Sequence, residues 1–459
     1  MRRQTPFMAT ATSRPTMPPC AHVPKPYQGP SRAEVLTTRK QFANPAIFTI
    51  YKDPLMLVEG HRQWLFDETG RRYLDMLAGI VTVSCGHAHP TVTKRVQEQA
   101  GLLAHTTTIY LHPLMGEFAK RLAAKMPPGL DVTYFVNSGS EANDLAIMMA
   151  RLYTENFDVI AVRNGYHGGS PTSMGITSHH TWKFPAQLSA GIHHTVNPDP
   201  YRSPFAGTPE HIASQSAQDI REIVKFSTPG RIAGFIAESL QGVGGVTYGA
   251  PNYLREAYAA VRDAGGVCIA DEVQSGFGRT GTHYWGFQNW DVVPDIVTMA
   301  KGIGNGLPLA AVTTRREIAE RLAQRIHFNT YGGNPVSMAA GLAVLEVIDE
   351  EQLQENCRVL GGRFKAGLQE LATRHRLIGD VRGMGLMLGV ELVRDRETKE
   401  PAKEETLAVM EHTRELGLLI GKGGLTGSVL RIKPPMCIAA EDVDFALGVL
   451  DVALARVEG

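Results

Sequence analysis

The sequence predicts an α/β fold, with a large domain on a mostly parallel sheet joined to a smaller α+β unit. Six short, continuously apolar runs (132–136, 158–162, 232–237, 267–270, 296–300 and 309–313) alternate with helix-period stretches such as 141–151 and 253–264. Strands without polar alternation are covered on both faces, and the intervening helices supply that cover. After Pro335 the order changes. Two long helical patterns, 335–348 and 352–374, precede short strand-like pieces around 386–392 and 429–432. That succession belongs to an α+β unit.

The remaining segments are assigned against that frame. Residues 34–85 hold strand-like pieces at 56–58 and 63–66, too few for a core of their own, so they join the C-terminal unit. The expected organisation is an N-terminal arm at 1–33, the N-terminal part of the small domain at 34–85, the large domain at 86–335 and the C-terminal small domain at 336–459. Arg2, Arg3, Arg14, Lys25 and Arg32 make the arm basic, and no acid precedes Glu34. An acid-free, Arg- and Ser/Thr-bearing leader has the composition of an organellar transit segment. Its seven prolines oppose a long amphipathic helix, so an arm wrapping a partner subunit is the alternative.

Composition excludes several classes. With 46 basic and 46 acidic side chains in 459 residues, no long-range field favours nucleic acid or an anionic membrane. Long uncharged stretches such as 327–345 carry Gly, Asn and Pro, so no membrane-spanning helix is expected. Cys20, Cys85, Cys268, Cys357 and Cys437 are scattered and lack a Cys-x-x-Cys pair, so reduced thiols are expected. His87, His89 and the pairs His179-His180 and His193-His194 sit in no ligand spacing, and no metal site is expected.

Ligands of open parallel sheets bind beyond the carboxyl ends of the strands. Three of those ends carry chemistry. After 132–136 comes Asn137-Ser138-Gly139-Ser140-Glu141-Ala142-Asn143, where Ser138 and Glu141 have capping-box spacing. A Gly-Ser turn at a helix start offers free N–H groups, hydroxyls and the positive dipole end to a phosphate, although an ordinary capped helix has the same pattern. The strand at 267–270 runs into Asp271-Glu272-Val273-Gln274. The strand at 296–300 runs into Lys301-Gly302-Ile-Gly304-Asn-Gly306. A desolvated lysine among glycine turns can serve as an amine nucleophile; an Asp271–Lys301 salt bridge is the bland alternative. Pyridoxal phosphate needs all three features: a held phosphate, a carboxylate for its ring nitrogen and a lysine to tether its aldehyde. The sequence has no Gly-x-x-x-x-Gly-Lys-[Ser/Thr] and no Gly-x-Ser-x-Gly.

The run Asp271-Glu-Val-Gln-Ser-Gly-Phe-Gly-Arg-Thr-Gly281, with Pro294-Asp-Ile-Val-Thr-Met-Ala-Lys301-Gly-Ile-Gly304, resembles the signature of class III, ornithine-type aminotransferases. Tyr73-Leu-Asp75, Gly86-His-Ala-His-Pro90, Arg382-Gly-Met-Gly385 and Arg431-Ile-Lys-Pro-Pro435 extend the likeness over residues 34–459. Within the class the closer likeness is to the alanine–glyoxylate branch, carried by Gly79-Ile-Val-Thr-Val83, 265–273 and 327–335. The resemblance implies fold type I of the pyridoxal-phosphate transferases, with a seven-stranded sheet. It implies that Lys301 forms the Schiff base and shuttles the proton, and that Asp271 holds the ring nitrogen. Gln274 then reaches the ring hydroxyl, Val273 packs on the ring, and Tyr166 stacks on its other face beside His167. Ser138, Gly139 and Ser140 take the phosphate, with Glu238 in the same cofactor set. Thr330 arrives from a neighbouring subunit, which implies a homodimer or homotetramer. Arg431 grips the substrate carboxylate, with Ile80 and Tyr110 on the substrate side.

Two departures bear on the substrate. Ornithine and γ-aminobutyrate members of the class place a glutamate where this chain has Val243, and a second arginine where it has Gly169. Without that gate the resemblance implies L-alanine as donor and glyoxylate as acceptor, giving pyruvate and glycine in a ping-pong cycle. A β-amino acid:pyruvate activity is the alternative, and a non-catalytic scaffold on the same fold is the distant one. Five of the 46 basic side chains fall in 1–33, leaving 41 against 46 acidic ones beyond it. A basic leader on a mildly acidic enzyme implies the mitochondrial matrix.

Overall fold

The computed structural model describes residues 15–459 apart from Gln187. Arg2, Arg3 and Arg14 of the expected leader lie outside the described residues. The part of the arm that is described lies on the small domain. Arg72 donates to the Pro18 carbonyl at 2.6 Å, and the His22 ring stacks on His61 at 4.4 Å. The helix Arg32–Phe42 starts at a Ser31/Glu34 capping box, so it crosses the expected boundary between 33 and 34.

Strands β1 (Leu57–His61), β2 (Trp64–Asp67) and β3 (Arg72–Asp75) form an antiparallel meander. The large sheet follows, with β4 (Val132–Val136), β5 (Val159–Val162), β6 (Ile192–Thr195), β7 (Gly234–Glu238), β8 (Val267–Asp271), β9 (Ile296–Met299) and β10 (Ala310–Thr314). Their order is β4-β10-β9-β8-β7-β5-β6, and only β10 runs against its neighbours. The return from Met299 to Ala310 is too short for a covering crossover helix, so β10 comes back antiparallel. Lys301 sits at the start of that return.

Successive residues of one strand bury on opposite faces. Ile160, Phe235 and Cys268 pack with the helices Pro209–Ser227 and Asn252–Asp263, whereas Ala161, Ile236 and Ile269 pack with the helix Gly139–Thr154. This two-sided burial is why the strands read as unbroken apolar runs. Strand β6 escapes such a reading. It is Ile192-His-His-Thr195 at the sheet edge, and His193 is satisfied by Asp158 at 2.8 Å.

The small domain holds β11 (Ile378–Met384), β12 (Met387–Asp395), β13 (Glu400–Pro401), β14 (Leu418–Leu419), β15 (Gly421–Gly423) and β16 (Val429–Ile432). Four of them make an antiparallel sheet ordered β11-β12-β16-β15, with β13 on β12. Strand β14 pairs parallel with β3, the last strand of the N-terminal meander. The helices Leu353–Arg374 and Ala440–Glu458 bury Phe364, Leu368, Phe445 and Val449 into the shared core. No helix among the described residues is long and apolar enough to cross a membrane.

Candidate active site

Register aligns the chemistry at the carboxyl edge of the large sheet: Glu238 lies opposite Asp271, and Asp271 opposite Thr298. The adjacent acids of β8 then diverge. Glu272 turns into the protein and accepts from Ser239, Ser275 and the Gly286 and Phe287 N–H groups. Four donors satisfy a carboxylate that burial otherwise disfavours. Asp271 turns toward the cavity instead.

Asp271 is 2% exposed and tightly held. Its Oδ2 meets His167 Nδ1 at 2.7 Å and accepts from Asn143 Nδ2 at 2.9 Å, while Oδ1 accepts from the Val273 N–H at 3.1 Å. Thr298 donates to Asn143 Oδ1 at 2.7 Å, which fixes that amide with its N–H groups toward Asp271 and the His167 carbonyl. Burial opposes a charge on His167, but the Asp271 contact outweighs it and raises the imidazole pKa. His167 Nε2 is buried without a protein partner.

The helix start expected to cradle a phosphate is capped on one side only. Ser138 Oγ caps the helix Gly139–Thr154 by accepting from the Glu141 N–H at 3.2 Å. Glu141 does not reach back to the Ser138 N–H; its Oε2 accepts from the Asn137 backbone and side chain and from Asn329. The capping box is therefore half made, because Asn137 and Asn329 compete for its carboxylate. Ser140 Oγ accepts from the Gly169 N–H at 3.0 Å and keeps its own hydrogen to donate. Gly168 has φ +136°, and a Cβ there would lie 2.3 Å from Ser140 Oγ. Only glycine brings that loop so close to the helix start.

Lys301 opens a short 3₁₀ turn with φ +51°, a left-handed conformation rare for a side-chain-bearing residue. The salt-bridge alternative is not realised: Asp271 pairs with His167, and Lys301 has no ion-pair partner among the described residues. Burial lowers the lysine pKa; Asp271 and Glu238 oppose that and Arg431 adds to it. An amine so placed is readily uncharged, as a nucleophile requires. Glu238 accepts from the Tyr166 and Gly242 N–H groups at 3.0 and 2.6 Å, and burial raises its pKa.

One cavity of about 430 Å³ gathers Gly139, Ser140, Tyr166, His167, Glu238, Asp271, Val273, Gln274 and Lys301, together with Asn143 and Gly168. Arg431 approaches from β16 and donates from Nη1 to the Gly242 carbonyl at 3.3 Å. Its Nε is buried without a partner, and burial pushes its pKa down to about 10 despite Glu238. An arginine left short of acceptors next to an open cavity is suited to an incoming carboxylate. The other substrate-side and cross-subunit residues are not brought into the cavity. Ile80 is 45% and Tyr110 67% exposed, and Thr330 lies exposed in the segment between β10 and the helix Pro335–Glu350.

Ile80 stands on an unusual support. Ala78, Gly79, Ile80 and Val81 have φ of 53°, 59°, 61° and 66°, a left-handed turn of four residues. Such a turn costs about 1–2 kcal/mol for each residue bearing a Cβ. Asp75 offsets part of that by accepting from the Leu77 and Ala78 N–H groups at 2.8 and 2.9 Å. Asn143, Thr298 and Lys433 bond to residues of this cavity and have no role in the motif reading. Asn143 had a usable signal, a polar residue on the otherwise apolar face of the helix Gly139–Thr154.

The cavity fits pyridoxal phosphate by its own chemistry: a helix start with a free hydroxyl, a buried carboxylate without a lysine or arginine partner, and an amine without a counterion. The fold and these groups define a pyridoxal-phosphate-dependent transferase. The chain belongs to the class-III aminotransferase family, whose model matches residues 50–454. It is 52% identical to the Arabidopsis thaliana protein named alanine–glyoxylate aminotransferase 2 homolog 2, mitochondrial, over 96% of this chain and 91% of that one. It is 45% identical to human mitochondrial alanine–glyoxylate aminotransferase 2, over 98% and 94%. An amine transaminase from an uncultivated Pseudomonas species, solved in its pyridoxal-phosphate-bound form, superposes with a TM-score of 0.84 at 29% identity, covering 91% of this chain and 99% of that one.

Proposed function

We propose that the protein transfers the amino group of L-alanine to glyoxylate, giving pyruvate and glycine in the mitochondrion. The observation that carries the substrate choice is the ungated Arg431. No carboxylate stands at Val243, whose carbonyl instead accepts from the Gly424 N–H at 2.9 Å, and Arg431 Nε has no protein partner. Alanine, glyoxylate, pyruvate and glycine all carry a carboxylate beside the reacting carbon, so one permanently available guanidinium serves both halves of the cycle.

Bound pyridoxal phosphate supplies an electron sink that makes the substrate Cα–H bond breakable. The chain's residues supply the rest. Asp271, aimed by Asn143 and His167, presents its carboxylate for the ring nitrogen. In this reading Ser140 and the first turn of its helix take the phosphate, and Tyr166 and Val273, which both line the cavity, take the two faces of the ring. Lys301 carries the proton between two carbons as a base of lowered pKa. Arg431 fixes the carboxylate and thereby the Cα beside Lys301.

A second copy of the chain completes the site in this reading. Ile109, Tyr110 and Leu111 on one segment and Ile326, Phe328 and Tyr331 on another are exposed apolar side chains flanking Tyr110 and Thr330. Such paired exposed patches suit burial in a homodimer, which brings Thr330, Tyr110 and Ile80 to the neighbouring cavity. Steady-state kinetics with alanine, ornithine and γ-aminobutyrate test the assignment. A clear alanine preference is expected, and a preference for ornithine overturns it.

A further inference from the structure

A second buried cation next to Arg431 has no place in the reaction as described. Lys433, two residues further along, is 1% exposed, and among the described residues it has no carboxylate partner. An ammonium without a counterion in a core costs several kcal/mol, so its retention calls for a compensating role. Its Nζ makes two contacts: 2.9 Å to Gln274 Oε1 and 3.1 Å to the Gly242 carbonyl. Both partners are acceptors, so the lysine donates twice. The same Gly242 carbonyl accepts from Arg431, and the Gly242 N–H donates to Glu238.

The contact decides which way the Gln274 amide faces. With Oε1 drawn to Lys433, Nε2 is the end left toward the cavity, and it has no protein partner among the described residues. The reverse orientation sets an NH₂ against an N–H donor, which is repulsive. Gly242 lets its peptide lie directly on the amide: a Cβ there would lie 2.2 Å from Gln274 Oε1 and 2.4 Å from Nε2. We propose that Lys433 is a positioning residue, which fixes the Gln274 amide with its N–H toward the cofactor's ring oxygen and ties it through Gly242 to the Arg431 clamp. The proposal rests on the reading that Gln274 meets that oxygen.

The surroundings support it. Burial pushes the Lys433 pKa well down, Arg431, Arg279 and Lys301 add to this, and Glu238 opposes it. An uncharged amine still has two N–H groups for its two acceptors. A donor on Gln274 Oε1 also polarises its N–H and strengthens donation to an anionic oxygen.

The pH midpoint of the bound cofactor's visible absorbance reads this directly, because donation to the ring oxygen favours the less protonated form. Lys433→Met is expected to raise the midpoint by roughly half to one unit and to weaken cofactor binding to the cofactor-free protein about fivefold. Gln274→Ala is expected to shift the midpoint the same way, and adding Lys433→Met to it to change nothing further. Lys433→Leu, which also removes both donors, reads the same effect if the methionine variant does not fold. An unmoved midpoint in a folded, loaded Lys433 variant, or additive shifts in the double variant, overturns the proposal. If Gln274→Ala itself leaves the midpoint unmoved, the Gln274 reading fails and the proposal with it. If only Gln274→Ala moves it, the Gln274 reading stands and Lys433 has no part.

Discussion

The cavity has two walls built on different principles. On the cofactor wall the polar groups of Asp271, Asn143, Ser140 and Glu238 are tied to neighbours within one chain. On the substrate side Arg431 Nε has no protein partner, while Ile80 and Tyr110 are exposed outside the cavity. The cofactor stays for every turnover, so its wall can be rigid and satisfied in advance. Substrates and products must come and go, so their side keeps vacant hydrogen-bonding capacity. Satisfied groups hold, and unsatisfied ones select.

The sharpest way to break this division is at Lys301, which serves both walls. Lys301→Ala is expected to abolish turnover, by about 10⁴-fold or more, and to remove the yellow colour of the loaded protein. The fold should survive, because the lysine has no ion-pair partner among the described residues and its turn is closed by Gly302 and Gly304. Absorbance and single-turnover assays check this; retained colour places the cofactor's attachment elsewhere.

Arg431→Leu tests the substrate wall alone. The expected cost is about 2–5 kcal/mol of substrate binding, seen as a raised KM for alanine, with cofactor affinity little changed. The cost arises because a buried carboxylate is left unpaired. Normal alanine turnover in that variant removes Arg431 from the carboxylate role and the ungated-arginine argument with it.

What the sequence made legible follows the same division. The strand ends carrying Asp271 and Lys301 stood out because two-sided burial leaves long apolar runs that end abruptly in charge. Strand β11 gave no such signal. Its Arg382 is buried only because Asp380 and Glu391 meet it at 2.7 Å each, the latter across the sheet on β12. A charged, glycine-containing segment looks like a loop until its partner strand is known. The left-handed turn at Ala78–Val81 was equally hidden, since Ala, Ile and Val have no intrinsic preference for positive φ and Asp75 imposes it from outside the segment. Lys433 belongs to this group. Its role depends on β16 approaching Gly242 and Gln274, which are about 190 and 160 residues away in sequence.

The smallest expected effect draws the boundary between the walls most finely. Ser140 Oγ accepts from the Gly169 N–H and, in the proposed reading, donates to the phosphate. Gly169 is exposed, so water replaces the first contact at little cost when the hydroxyl is removed. Only the second is lost, and a hydrogen bond to a charged acceptor contributes about 1.5 kcal/mol. Ser140→Ala is therefore expected to weaken pyridoxal phosphate binding by roughly tenfold in a titration of cofactor-free protein. At saturating cofactor the KM for alanine should not move. A KM that rises with Ser140→Ala under those conditions means that the phosphate anchor also sets the substrate's position, and that the two walls act as one.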